Sequence, residues 1–305
     1  MRINKNQPLA SQPLVTAKTE PAGGDATPGS GRDVYSLPGC MKRIMRSLLL
    51  IAFTTYGFFF LYFYFFADHL VFQPHPASYR DDRRLVKIAA ADGVRLTALH
   101  LPNPQARYTV LFSHGNAEDL GDNLEFLEGL QQAGFAVLAW DYRGYGTSEG
   151  VPSEKTLYAD EQAAYGYLVR ELKTPPERIL VLGRSLGSAA AVDLAARQPV
   201  AGLILEGGLV SGQRLLLPFP LFPFDRFRNL EKIARVRCPV LVIHGTADSV
   251  IPFQHGEILF RAAPEPKRSW WVQNAGHNDL AYRVGPEYGR KLQEFAAWVD
   301  EQKRP

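Results

Sequence analysis

With 46% apolar and 21% charged residues, the 305-residue chain has the composition of a globular protein. Its charge is unevenly spread: residues 1–46 hold seven Lys/Arg against three Asp/Glu, a net of +4, and the remainder holds 27 against 28, a net of −1. A nucleic-acid binder would carry its basic excess on the globular part, so the charge excludes nucleic acid as the expected partner.

Residues 1–40 are rich in Pro, Gly, Ser, Thr and Ala and show no apolar period, and a disordered N-terminal segment is predicted over 1–46. Met41 is a second candidate start, because MKRIMRSLLLIAF is a normal beginning for a membrane anchor. From Ser47 to Ala67 the chain runs 21 residues without a charge. That is long enough to cross a hydrocarbon core of about 30 Å as a helix. The run exceeds the apolar region of a secretory signal and no A-x-A-like site follows, so an uncleaved signal anchor at 47–67 is expected. Lys42, Arg43 and Arg46 precede it, whereas Arg80 is the only Lys or Arg from Asp68 to Asp82. The positive-inside rule then predicts a single-pass protein with its N-terminus cytoplasmic and the large C-terminal part extracytoplasmic, periplasmic in a bacterium. Cys40 and Cys238 fall on opposite sides and cannot pair within the chain; Cys238 reads as a small core residue and Cys40 as a possible acylation site.

Residues 68–305 read as one domain without repeats. Predicted strands are Arg84–Ala90, Arg95–Leu101, Thr109–Ser113, Ala136–Asp141, Ile179–Gly183, Gly202–Glu206, Val240–His244 and Ser269–Val272. Predicted helices are Leu120–Gln132, Ser153–Leu172, Leu186–Gln198, Phe253–Ala262 and Pro286–Gln302. The first two strands suggest a hairpin, and the later alternation implies an α/β fold with a mainly parallel eight-stranded sheet covered on both faces. Such sheets place their chemistry beyond the carboxyl ends of the strands.

At one strand end, Gly183-Arg184-Ser185-Leu186-Gly187 leads directly into an alanine-rich helix. Strand, sharp turn and helix around G-x-S-x-G are the setting of a nucleophile elbow, with Ser185 the nucleophile and the Leu186 amide an oxyanion donor. A serine needs a base and the base needs an orienting acid, both following in this chain order. Of His244, His255 and His277, only His277 stands in a polar loop, NAGHND; His244 ends a buried strand and His255 reads as a surface helix residue. Asp248 in HGTADSVIP is the favoured acid, with Glu206 and Asp279 as rivals. The loop His114-Gly115-Asn116 supplies the second oxyanion donor, the Asn116 amide, while His114 reads as a buried loop stabiliser. From Gly207 to Ile233 runs a short cap rich in Leu, Phe and Pro, read first as packing against the core; a sharper reading makes it an apolar wall for an acyl chain or a patch on the membrane interface, with Leu216 and Phe219 the residues that test it.

Taken together, SHGN, DYRGYGTSEG, GRSLGS, HGTADSVIP and GHND resemble the α/β-hydrolases from about Leu70 to the end. The set is most similar to the membrane-anchored serine hydrolases of the bud-emergence (Bem-type) group and to animal α/β-hydrolase-domain proteins. Some of those animal relatives are protein depalmitoylases acting in the cytoplasm, the opposite side from the one this anchor predicts. In that group Asp141 and Arg143 read as structural charges of the loop floor. The resemblance implies a serine hydrolase acting on a carboxylic ester or thioester of a small-molecule or acylated substrate, tethered to the membrane by its N-terminal helix. The same triad would serve an amidase or peptidase, and a non-catalytic binding protein could keep the fold. A dinucleotide-binding oxidoreductase fits poorly, because Gly144, Gly146 and Gly150 have the wrong spacing. No H-E-x-x-H, Cys/His cluster or P-loop is present, so neither metal nor organic cofactor is expected.

Overall fold

The computed structural model describes residues 39–216 and 221–303. Phe219 and most of the predicted disordered segment lie outside the described residues, and the Leu216 side chain is likewise not described. The chain divides into two compact units, Met1–Thr55 and Tyr56–Pro305. What is described of the first is helical from Gly39, the start of α1 (Gly39–Val71). This helix has 33 residues, 12 more than the uncharged run, and is the one described helix long and apolar enough to cross a membrane. None of its residues is buried in protein.

The second unit carries a single eight-stranded sheet: β1 (Leu85–Ala89), β2 (Arg95–Leu101), β3 (Thr109–Ser113), β4 (Ala136–Trp140), β5 (Ile179–Arg184), β6 (Gly202–Glu206), β7 (Val240–Gly245) and β8 (Lys267–Val272). Their spatial order is β1-β2-β4-β3-β5-β6-β7-β8. The β1/β2 hairpin and the β2/β4 pair are antiparallel and every other pair is parallel. The central strands β3, β4, β5 and β6 are buried along almost their whole length, as continuous Val/Leu/Ile runs must be when helices cover both faces. One face packs on α3 (Glu154–Arg170), α4 (Gly187–Arg197) and α7 (Gln254–Ala262), with Leu157, Ala190 and Leu259 in the core. The other packs on α2 (Leu124–Gln132) and α9 (Glu287–Gln302), through Leu127, Leu292 and Phe295. This is the α/β-hydrolase fold.

Differences from the sequence reading have local causes. Helix α2 begins at Leu124 and not at Leu120, because the Asp119 carboxylate accepts the N–H groups of Ser78, Gly121 and Asp122 and holds the preceding residues as a turn. Strand β8 begins two residues early, at Lys267, which pairs with Val240. Lys267 and Arg268 are not buried, so no apolar pattern marked them. Three five-residue helices were not predicted: α5 (Gly212–Leu216) and α6 (Asn229–Ile233) in the cap, and α8 (Leu280–Val284).

Candidate active site

The elbow between β5 and α4 holds Ser185 at φ 52°, in the left-handed region that a non-glycine residue adopts only under constraint. The constraint is steric crowding around it. A Cβ at Gly183 would collide with the Gly187 carbonyl and the Ala191 methyl, and a Cβ at Gly187 with the Ser113 carbonyl of β3. The Ser185 N–H donates to the Glu206 carbonyl at 2.8 Å, which ties the turn to the end of β6.

Two loops bring partners to the serine. Asp248 follows β7, where its Oδ1 accepts the Val250 and Ile251 amides at 2.9 and 2.8 Å and its Oδ2 lies 2.8 Å from His277 Nδ1. His277 follows β8, and its Nε2 stands 2.8 Å from Ser185 Oγ. A carboxylate only accepts, so Nδ1 carries the proton and Nε2 accepts from the serine hydroxyl. Burial by itself would raise the Asp248 carboxyl, but the imidazoles of His244 and His277 and the Ile251 amide hold it well below the usual carboxylate range. Asp248 is therefore ionised and ready to face a charged imidazole.

The loop after β3 completes the arrangement. Gly115 N–H donates to Glu118 Oε2 at 3.3 Å, and Ala117 has a left-handed φ of 54°. The Asn116 side chain is bonded to the Val71 carbonyl, the Gln73 amide and the Tyr145 hydroxyl. Among the described residues, the backbone N–H groups of Asn116 and Leu186 enter no hydrogen bond. His114 is buried and stacks on Tyr142 with ring centroids 4.1 Å apart. Asp141 accepts the Leu120 amide and the Tyr79 hydroxyl, and Arg143 bridges Asp160 and Asp92.

The rival residues stand elsewhere. Glu206 Oε1 accepts from Arg184 Nε at 3.0 Å and its Oε2 from the Tyr288 hydroxyl. Asp279 accepts the Gly276 amide and pairs with Arg283. His244 is fully buried, with Nε2 2.9 Å from the Ile251 carbonyl and 3.3 Å from Asp248 Oδ2. His255, expected on the surface, is a correction: it is buried, and its Nδ1 accepts the Val210 amide from the cap. One helix face can turn inward wherever a loop lies over it, and the sequence does not show that loop.

Sequence reasoning also missed a buried network beside Ser185. Arg184 pairs with Glu206, donates to Asn123 Oδ1 at 3.0 Å, and lies over the Phe126 ring at 4.1 Å. Asn123 in turn donates to Glu118, the carboxylate that accepts Gly115 N–H. No sequence signal marked this pair, because only the parallel register of β5 on β6 sets Arg184 directly opposite Glu206. His75, Asp119 and Asp122 bring three possible ligand atoms within 4.8 Å, but Asp119 is already occupied by backbone amides and His75 by Asp122. They serve as a clamp on the loop.

Known proteins share this arrangement of the chain. The family model described as serine aminopeptidase, S33 (Hydrolase_4), matches residues 104–229. The α/β-hydrolase domain-containing protein 17B of Xenopus laevis is 44% identical over 197 residues, covering 64% of this chain and 68% of the relative. The human 17B protein is 42% identical over 203 residues, 66% of this chain and 69% of the relative. The protein aho-3 of Caenorhabditis elegans is 42% identical over 220 residues, 70% of this chain but 64% of the relative, so less than two thirds of that protein is spanned. Among solved structures, the esterase Pf2001 of Pyrococcus furiosus superimposes with a TM-score of 0.61 at 19% identity, over 73% of this chain and 97% of that one. The esterase domain of a Rhodothermus marinus protein gives 0.54 at 24% identity, over 69% and 97%. By fold and by these relatives, the chain belongs to the α/β-hydrolases, in the family of the α/β-hydrolase domain-containing proteins.

Proposed function

We propose that this chain is a membrane-anchored serine hydrolase that cleaves a carboxylic ester or thioester through an acyl-enzyme. The observation that carries the reading is the unbroken relay from Asp248 Oδ2 through His277 to Ser185 Oγ, two contacts of 2.8 Å ending on a serine at a strained elbow. In this mechanism Ser185 Oγ attacks the acyl carbon while His277 Nε2 takes its proton. Asp248 stabilises the imidazolium that forms. The Asn116 and Leu186 amides receive the negative oxygen of the tetrahedral intermediate. His277 then gives the proton to the departing alcohol or thiol, and a water molecule repeats the steps to release the acid and restore Ser185. The names of the solved structural relatives, esterases, agree with an ester substrate.

The uncharged run in α1 and the basic residues before it support an anchor with the hydrolase domain (68–305) on the extracytoplasmic side. In the same helix Tyr56, Phe60 and Tyr64 pack on Phe222 and Phe224 of the cap. An apolar cap held against a membrane helix suits an acylated or lipid-like substrate. A peptidase reading also has one observation behind it, the serine aminopeptidase description of the matched family model.

One experiment tests reaction and topology together. Right-side-out vesicles carrying the wild-type chain or Ser185→Ala are labelled with a fluorophosphonate probe and then treated with external protease. Labelling of the wild type alone, on a protein that the protease digests, is the expected result. A folded but unlabelled wild type removes the hydrolase, and a label that survives the protease reverses the topology. Turnover of aminoacyl amides faster than of esters favours the peptidase.

A further inference from the structure

The end of α1 meets the loop that follows β3. Asn116 Nδ2 donates to the Val71 carbonyl, in the last turn of the helix. Asn116 Oδ1 accepts from the Gln73 amide at 3.1 Å and from the Tyr145 hydroxyl at 2.6 Å, and that hydroxyl accepts from the same Gln73 amide at 2.8 Å. Every polar atom of the Asn116 side chain is thus spent on the stretch where the apolar helix ends. Phe72, between the two backbone contacts, is buried against Phe227, so the helix end is packed in place and not merely hydrogen-bonded.

The loop needs such a grip. Gly115 leaves its backbone torsions free, and Ala117 sits at a left-handed φ that an alanine abandons unless its surroundings forbid it. This turn is also tied by Glu118 on Gly115 N–H, by the Tyr142 hydroxyl on the His114 carbonyl, and by His114 Nδ1, which lies 2.7 Å from the Gly115 carbonyl. The peptide that carries the Asn116 N–H is thus held at its carbonyl end by His114, and the Asn116 side chain anchors the residue on its other side.

We infer that the end of the membrane helix is a positioning element of the active site: Val71 and Gln73, with Tyr145, grip the Asn116 side chain and so aim the Asn116 N–H at the developing oxyanion. This rests on the hydrolase reading above and adds that the helix does more than tether. Any tilt or displacement of α1 changes the placement of an oxyanion donor, which couples turnover to how the helix is held.

The test uses the full chain in detergent with a soluble short-chain p-nitrophenyl ester, so that delivery from a bilayer plays no part. Gln73→Pro removes the N–H donor from the helix end, and Asn116→Ala removes the side chain that it grips. Each is expected to lower kcat by about 10- to 100-fold, the range for a displaced oxyanion donor, with KM changed less than about twofold. The double variant is expected to lose no more than the worse single one, because both break the same connection. Tyr145→Phe keeps the ring and removes one hydroxyl, and it reads the same connection if either of the others misfolds; its kcat is expected to fall about tenfold. Wild-type kcat in a folded variant, or losses that multiply in the double variant, overturn the inference. An inactive wild type, or activity that survives Ser185→Ala, instead overturns the hydrolase reading on which it rests.

Discussion

Glu206 ends β6 and Asp248 follows the neighbouring strand β7, and both are buried, yet their surroundings give them opposite uses. Glu206 accepts from a guanidinium and from a phenol, and burial together with that carboxylate pushes the Tyr288 hydroxyl well above its ordinary value, so it remains a donor. Asp248 gives one oxygen to two backbone amides and presents the other to His277. A carboxylate already shared between Arg184 and Tyr288 has little left with which to orient an imidazole. Having a carboxylate at the right strand end does not decide which one serves the histidine. The local supply of competing donors does.

The largest effect expected from this contrast is on turnover. Asp248→Asn preserves the shape but no longer favours the tautomer with a proton on Nδ1, and kcat should fall about 10⁴-fold in an ester assay. If the loss is mild, Asp248 is not the orienting acid. Next comes stability. Glu206→Gln leaves the Arg184 guanidinium buried without its counter-charge and should cost about 3–5 kcal/mol in a urea melt, with a far smaller loss of turnover. The reverse pattern in this pair of variants would exchange the roles of the two carboxylates.

A third buried carboxyl sharpens the comparison with a smaller effect. Glu161 accepts from Ser113 Oγ, at the end of β3, and from Trp140 Nε1, and burial pushes its pKa up to about 7 from 4.5. Between those values the folded state holds more protons than the unfolded one, so stability falls as pH rises through that window. The total is on the order of 3 kcal/mol. Thermal melts from pH 5 to 8 should show this decline, and Glu161→Gln should flatten it. An unchanged slope in the variant would assign the decline to another group.

The elbow, the hairpin, the alternation of strands and helices and the polar loop around His277 were legible because each is a local pattern. Strand period, the Gly183 and Gly187 pair, and NAGHND can be read over a few residues. The Arg184–Glu206 pair was not legible, since the two residues are 22 apart and meet only through the register of β5 on β6. His255 was misplaced for a similar reason, because the cap folds back over its helix. The short cap helices lack the length for a helical period to show.

By itself, the sequence determined the order of the strands along the chain, the serine at the elbow, the apolar run of α1 and a short list of acids and histidines. Each follows from steric or apolar preferences that act within a few residues. Only the tertiary structure decided which acid faces His277, where Arg184 is neutralised, and that the Asn116 side chain holds the end of α1. Those outcomes depend on hydrogen bonds between groups tens of residues apart, and the packing of the sheet and its loops selects among donors that the sequence lists as equals.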